Sequence, residues 1–224
     1  MKPITVLPPV HKVLFPNEHG AWAMLFTAFL LGWLAAPELS WKPLYILPAA
    51  LGAFLTRYPV GLYFKKRRVT RALKIPLTRE KFWFQVYAAF TVLVGFPLFY
   101  PLGWWWLLIF LDIAALCLFL HLKAITQKRE RTLFVELTAM AGISCLVPAT
   151  ATAAILRMDW EPLFLWLAFL LFFGWRFIVV RKKIRERHAV PIDLRQVGKG
   201  ELNYSLFFLI LLVTLVRVLY TLRA

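Results

Sequence analysis

The stretch Pro16–Leu25, PNEHGAWAML, is where a proline-broken polar leader turns into the first apolar run of the chain. Asn17 is a good helix N-cap, because its side-chain oxygen can accept a hydrogen bond from a backbone N–H of the first turn. Glu18 would then lie at the positive end of the helix dipole, which favours a carboxylate. Gly20 lets another helix approach closely, and Trp22 can anchor at the lipid headgroups. The stretch therefore predicts the start of a membrane-crossing helix.

Glu18 and His19 in this stretch have two interpretations. They can simply belong to a capped helix start at the water–lipid boundary. They can also belong to a functional pocket, since ionisable groups in or beside a membrane span are functional candidates by default. The sequence leaves both interpretations open.

The composition excludes an ordinary soluble domain. The 224 residues are 61% hydrophobic, whereas a soluble domain is usually about 45–50% apolar. The net charge of +16 could suggest nucleic acid, but the basic residues alternate with apolar runs, and membrane topology explains that pattern better. Cys117 and Cys145 lie in apolar runs without CxxC spacing, so neither a disulfide framework nor a zinc site is indicated.

The order of apolar runs predicts an all-α, polytopic transmembrane helix bundle of about seven spans. A polar leader, residues 1–17, precedes a single transmembrane domain, residues 18–224. The leader is interrupted by prolines and makes a poor secretory signal, so the first span is expected to be a retained anchor. The predicted spans are residues 18–36, 43–64, 82–100, 104–122, 133–156, 162–180 and 202–222.

The basic residues predict the orientation. Of the 27 Lys and Arg residues, 21 fall in the leader and in the predicted loops 65–81, 123–132 and 181–201, and 3 fall on the opposite face. Cytoplasmic loops carry such an excess. We therefore expect a cytoplasmic N-terminus in the inner or plasma membrane, with the basic loops against anionic lipid. A nucleic-acid partner is not expected.

Five ionisable residues are predicted to lie at one depth near the inner ends of the spans: Glu18, His19, Arg57, Glu136 and Arg176. A charge within a span is costly unless it has a partner. We therefore expect Glu136 to pair with Arg57 or Arg176 at the floor of a cytoplasm-facing polar cavity. Arg217 lies near the outer face, and its aliphatic side chain is expected to run along the apolar surface so that the guanidinium reaches water.

His121 and Asp112 are secondary candidates. His121 falls at the same inner boundary, whereas Asp112 falls near the middle of the fourth span. The histidines are too scattered to suggest a metal site, and no GxSxG, HExxH or P-loop pattern indicates a catalytic role for any residue. Asp112 alone is thin support for proton-coupled transport.

Four stretches carry a resemblance to a known family. They are EHGAWAML at Glu18–Leu25, RYPVGLYFKKRR at Arg57–Arg68, RERTLFVELTAMAG at Arg129–Gly142, and LLFFGWRFIVVRKKIRER at Leu170–Arg187. In these stretches the chain resembles the YwiC-like family of bacterial integral membrane proteins. The resemblance implies a polytopic inner-membrane protein and no particular activity or cofactor.

A more distant layout analogy is to the UbiA-like membrane prenyltransferases. Those enzymes place Asp-rich motifs for magnesium and a diphosphate at the inner ends of paired helices. Here the stretch Arg57–Arg71 has Arg and Lys and no aspartate, which removes the magnesium ligands. Arg and Lys could still bind an anionic group directly.

Three functions remain open at this stage. The chain could bind an anionic or lipidic molecule in the predicted cavity, or act as a membrane enzyme on a lipid-linked substrate with Glu18, His19 or Glu136 as acid or base. It could also be an accessory or assembly subunit of a membrane complex that docks through its basic loops.

Overall fold

The structure, a computed structural model, describes residues 13–16, 19–37, 39–73, 78–127, 132–156, 160–186 and 194–222. These residues contain helices and connections, and no strand occurs among them. The α-helices are α1 (His19–Leu34), α2 (Ile46–Leu73), α3 (Thr78–Phe99), α4 (Leu107–Thr126), α5 (Leu133–Ser144), α6 (Leu146–Ile155), α7 (Trp160–Glu186) and α8 (Leu194–Thr221). A short 3-10 helix, Lys42–Tyr45, precedes α2.

Within the described residues, five helical segments are long and apolar enough to cross a membrane: Thr78–Phe99, Leu107–Thr126, Leu133–Ile155, Trp160–Lys182 and Asn203–Thr221. Helices satisfy every backbone group internally, which lipid requires. The first helix is apolar but shorter, over Gly20–Leu34, and α2 carries Arg57 and Pro59 within its length. The prediction of an all-α membrane bundle is confirmed.

The helices alternate in direction, so their ends gather at two levels. One level, called here the leader end, is where α1, α3, α5 and α8 begin and where α2, α4 and α7 end. Contacts between helices establish this order: Lys66 with Glu80 for α2 and α3, Glu136 with Arg181 for α5 and α7, Arg176 with Tyr204 for α7 and α8, and Gly61 with Ile125 for α2 and α4. The opposite level is called the far end.

The most buried helix is α6, in which every residue from Leu146 to Ala154 is buried. It packs against α1, α7 and the 3-10 helix, and α1 in turn packs against α8. The approach of α1 to α6 is so close that a Cβ added at Gly32 would overlap Thr150 Oγ1 and the carbonyl oxygen of Val147. Small residues permit such backbone contacts in membranes.

The predicted fifth span is interrupted at Cys145, where α5 ends and α6 begins. Pro148 explains the interruption, because it has no N–H to bond the carbonyl of Ser144 and its ring crowds that carbonyl. The hydroxyl of Ser144 instead donates to the carbonyl of Ala141 at 2.7 Å and accepts from Trp166 Nε1 at 2.7 Å. The hydrogen bond from Trp166 therefore connects the break to α7.

Two predicted loops are largely helical. The proposed loop 65–81 is helical at both ends, because α2 continues to Leu73 and α3 begins at Thr78. The proposed loop 181–201 is shortened in the same way, since α7 continues to Glu186 and α8 begins at Leu194. Lys, Arg and Glu are good helix formers, so a charge-rich segment need not be a loop. Both Gly198 and Gly200 lie within α8.

Candidate functional site at the leader end

Glu136 and Arg181 form an ion pair at the leader end. Arg181 Nη1 donates to Glu136 Oε2 at 2.7 Å, and the two side chains are 36% and 33% exposed. Glu136 lies in the first turn of α5 and Arg181 lies near the carboxyl end of α7. Each charge therefore also complements the dipole of its own helix.

Helix spacing explains why these two residues meet. Met140, one turn after Glu136, fills the space beside Gly174 on α7, where its Cε lies 3.7 Å from the position of an added Cβ. Arg181 follows Gly174 by seven residues, which is two turns, and so lies on the same face of α7. Since the helices are antiparallel, the contact at Gly174 brings Glu136 and Arg181 together one or two turns nearer the leader end.

Arg176 lies on α7, and its side chain contacts α8. Its guanidinium carbon is 3.9 Å from the ring centroid of Tyr204, a cation–π contact. One turn deeper, the rings of Phe172 and Phe208 stack with centroids 4.0 Å apart. The two contacts repeat at four-residue spacing on both helices, so aromatic packing sets the position of the Arg176 guanidinium.

Arg57 lies half-buried on the inward side of α2. Phe54, three residues earlier, meets Trp22 of α1 with ring centroids 4.7 Å apart. Gly61, four residues later, faces Ile125 of α4. Residues at this spacing share one helix face, so Arg57 lies on the face of α2 that looks toward α1 and α4.

The remaining predicted residues divide into three cases. Glu18 lies outside the described residues, and His19 begins α1 with its side chain also outside what the structure describes. His121 is half-buried in α4, whereas Asp112 is exposed on the same helix. The cavity built from all five residues therefore stays a prediction, and the structure brings together Glu136 with Arg181 and Arg176 with Tyr204.

The partner of Glu136 was missed because Arg181 was assigned to a loop. The same error hid a second ion pair, in which Lys66 Nζ lies 2.7 Å from Glu80 Oε1. Glu80 is only 4% exposed, and it lies in the first turn of α3, in a segment that was predicted to be a loop. The sequence did contain a signal for this ion pair, because Glu80 is a lone glutamate in a run of basic residues and a buried acid requires a cation.

The leader segment, residues 13–16, is held against this end of the bundle. Leu14 is buried, and its carbonyl accepts a hydrogen bond from the hydroxyl of Tyr87 at 3.1 Å. The carbonyl of Pro16 accepts from Trp22 Nε1 at 3.1 Å. Two side chains, one on α3 and one on α1, thus fix the path by which the chain enters the first helix.

Arg217 has a different role from the one expected. Its Nε donates to the carbonyl oxygen of Leu34, the last residue of α1, at 2.9 Å. A cation at the carboxyl end of a helix satisfies an orphan carbonyl and complements the dipole. The side chain therefore ties α8 to α1 at the far end. Within the described residues, no three of the His, Cys, Asp and Glu side chains lie together as a metal ion would need.

Comparison with known proteins identifies the family. Residues 15–151 match the sequence model of a family described as YwiC-like protein. A protein of Bacillus subtilis (strain 168), recorded as "Uncharacterized protein YwiC", is 32% identical over 191 residues, which are 79% of this chain and 69% of that protein. The chain belongs to the YwiC-like family. The family match begins in the leader segment and ends within α6, so Arg176 and Arg181 lie beyond it. No solved structure matches the chain.

Proposed function

We propose that this multi-pass membrane protein lies in the inner or plasma membrane with its leader end in the cytoplasm, and that this end binds the anionic headgroup of a lipid or lipid-linked molecule. The observation that carries the proposal is the pair of guanidinium groups on the last turns of α7. Arg176 is held over Tyr204 and Arg181 is held by Glu136. Both cations are fixed before a ligand arrives.

The length of α7 supports a position at the membrane surface. Its 27 residues span about 40 Å, whereas the hydrocarbon core is about 30 Å thick. The helix therefore extends beyond the lipid tails at one end or both. The end with Arg181 and Lys182 is polar, and a cytoplasmic leaflet rich in anionic lipid attracts such residues.

Arginine is suited to the proposed ligand. Its planar guanidinium can give two parallel hydrogen bonds to a phosphate or carboxylate. Glu136 Oε2 currently accepts one such bond from Arg181, so an incoming phosphate would compete with Glu136 for the same donor. The Glu136 carboxylate then competes with the ligand for Arg181, and this competition sets the affinity of the protein for the ligand.

A binding experiment tests the proposal directly. A soluble short-chain phosphatidylglycerol is titrated into the detergent-purified protein, with short-chain phosphatidylcholine as the uncharged comparison. We expect Arg181→Gln to weaken phosphatidylglycerol binding at least tenfold, and Glu136→Gln to tighten it severalfold because the competitor is gone. Lys182→Gln, an exposed cation beside Arg181, is the matched control and should change binding less than twofold.

The same titration can overturn the proposal. Equal affinity for the two lipids, or equal losses in Arg181→Gln and Lys182→Gln, would mean that attraction by general charge explains the binding. Chemical change of a lipid-linked anion during incubation would instead favour the enzyme alternative. Orientation has its own test: a cysteine replacing Lys182 should react with a membrane-impermeant maleimide only after the cytoplasmic side is opened.

A further inference from the structure

α4 has two seams of side chains, of which one is packed inside the bundle and the other is exposed in the described structure. The inner seam is Phe110, Ala114, Cys117, His121 and Ala124, whose members are buried or half-buried. This face packs against α5, where Gly142 lies within contact of Cys117. The spacing of four, three, four and three residues is the repeat of a left-handed helix pair.

The opposite side of α4 repeats the same spacing, beginning in the turn before the helix, where Trp105 packs beside Phe99 of α3 with ring centroids 5.9 Å apart. This outer seam consists of Trp105, Ile109, Asp112, Leu116 and Phe119, and all five residues are exposed. Trp105, Leu116 and Phe119 are each about 60% exposed. Lipid can cover the apolar members of the seam, but it cannot satisfy Asp112.

Asp112 differs in this respect from the other charges set in apolar stretches. Arg57, Glu136, Arg176 and Arg217 are half-buried in the bundle, and contacts to Arg181, Tyr204 and Leu34 were described above for the last three. Asp112 makes no hydrogen bond or ion pair with any part of the chain that the structure describes. It is the sixth residue of α4, roughly 8 Å from the start of that helix, within the membrane-length apolar segment Leu107–Thr126.

We propose that the outer seam of α4 docks a transmembrane helix of another membrane protein, and that this partner helix carries a Lys, Arg or His side chain at the depth of Asp112. Ionisable residues within a membrane face a protein interior or pair with one another. A single polar residue in an otherwise apolar seam also selects the partner and fixes its register.

Charge complementarity favours another protein over a second copy. If two copies met symmetrically through the outer seam, Asp112 would face Asp112 of the other copy, which is a like-charge contact. The chain's own membrane-embedded arginines are on α2, α7 and α8 and lie half-buried in the bundle. Arg176 and Arg217 already contact Tyr204 and the carbonyl of Leu34, so a neighbouring Asp112 would have to displace those contacts.

Photo-crosslinking in native membranes tests the proposal. Benzoylphenylalanine replaces Leu116 in the seam or, as a matched control, Leu171, which is 66% exposed on α7 and belongs to no polar seam. We expect a defined protein adduct from position 116 and none from position 171. Mass spectrometry should place the crosslinked peptide in a transmembrane span, within one turn of a Lys, Arg or His.

Substitution of Asp112 then tests the charge. Asp112→Leu should lower the yield of that adduct at least tenfold while leaving the melting temperature of the purified protein unchanged. Asp112→Lys should abolish the adduct, and an acidic replacement of the partner's basic residue should restore it. An adduct between two copies of this chain, an adduct indifferent to Asp112→Leu, no adduct at position 116, or unfolding of the isolated Asp112→Leu protein would each overturn the proposal.

Discussion

The helices α6 and α4 show how differently two apolar segments of one chain can be used. Every residue of α6 from Leu146 to Ala154 is buried, whereas α4 buries only Leu107, Phe110 and Ala124. Both α4 and the segment Leu133–Ile155, which contains α6, are long and apolar enough to cross a membrane. Hydropathy therefore locates membrane helices but does not say which of them is central.

Side-chain size makes the difference. α6 is built from alanine and threonine around Pro148, and its backbone comes within contact of Gly32 on α1. α4 presents Leu, Ile and Phe outward, which suits lipid tails. Lipid supplies no hydrophobic force between helices, so close packing and hydrogen bonds hold the centre together.

The largest expected effect comes from breaking the closest contact of the centre. Gly32→Ala adds one methyl group where Thr150 Oγ1 and the carbonyl of Val147 already lie. Backbone atoms cannot move aside cheaply, so we expect a loss of about 3 kcal/mol in the free energy of unfolding. Thermal unfolding of the purified protein, followed by size-exclusion chromatography, measures the loss.

The control for this substitution is in the same helix. A Cβ at Gly20 would meet nothing within 4 Å, and alanine is the better helix former. Gly20→Ala should therefore leave the unfolding temperature unchanged or slightly higher. If both glycine variants unfolded at the same temperature, the contrast between a tight centre and a loose periphery would be wrong.

The next effect concerns the break between α5 and α6. Trp166→Phe removes the donor that lies 2.7 Å from the hydroxyl of Ser144, a residue with no exposed surface. Leaving that buried oxygen without its donor should cost about 1.5 kcal/mol. A fall in unfolding temperature and faster hydrogen exchange near Ser144 would report the loss.

The comparison variant for Trp166 is on the same helix. Trp175→Phe changes a ring that is 66% exposed, so the free energy of unfolding should not fall. Equal destabilisation of the two tryptophan variants would show that ring volume, and not the hydrogen bond to Ser144, decides the result.

The smallest effect has the opposite sign. Thr152 is 1% exposed, and its hydroxyl has no hydrogen-bond partner in the described part of the chain. Replacing an unsatisfied hydroxyl by a methyl group of similar shape is neutral or stabilising, so Thr152→Val should raise the free energy of unfolding by about 0.5 kcal/mol.

Thr150 provides the contrast two residues earlier. Its hydroxyl donates to the carbonyl of Leu146 at 2.8 Å and lies 3.4 Å from that of Phe29 on α1. Thr150→Val should lower the free energy of unfolding by about 0.6 kcal/mol, the usual size of such bonds in membranes. Thermal unfolding of both variants measures the difference, and a loss in both would contradict it.

The helical class and the five membrane-length apolar segments of the described chain could be predicted because hydropathy and proline position are local properties. The break at Cys145 was also within reach, since Pro148 was visible in the fifth span. The pairing of Glu136 with Arg181 could not be predicted. Depth in the membrane can be counted from the sequence, but the direction in which a side chain faces depends on packing. Met140 against Gly174 sets that direction here.

The basic segments explain the other errors. The segments with Lys66, Glu80 and Arg181 were assigned to loops because they contain many charges. Instead the helices continue through them, and this places Lys66 beside Glu80 and Arg181 beside Glu136. Asp112 was noticed, but its exposure could not be read from the sequence, since the apolar residues around it are equally compatible with a core.

The position of α1 has a consequence for the order in which the protein is made. Its carbonyls at Phe29 and Leu34 contact side chains that lie 121 and 183 residues further along the chain. A ribosome adds about 5–20 residues per second, so Phe29 of α1 is synthesised roughly 6 seconds or more before Thr150 of α6. The face of α1 around Gly32 therefore lacks its packing partner α6 during that interval, and the contact of α1 with Arg217 of α8 forms later still.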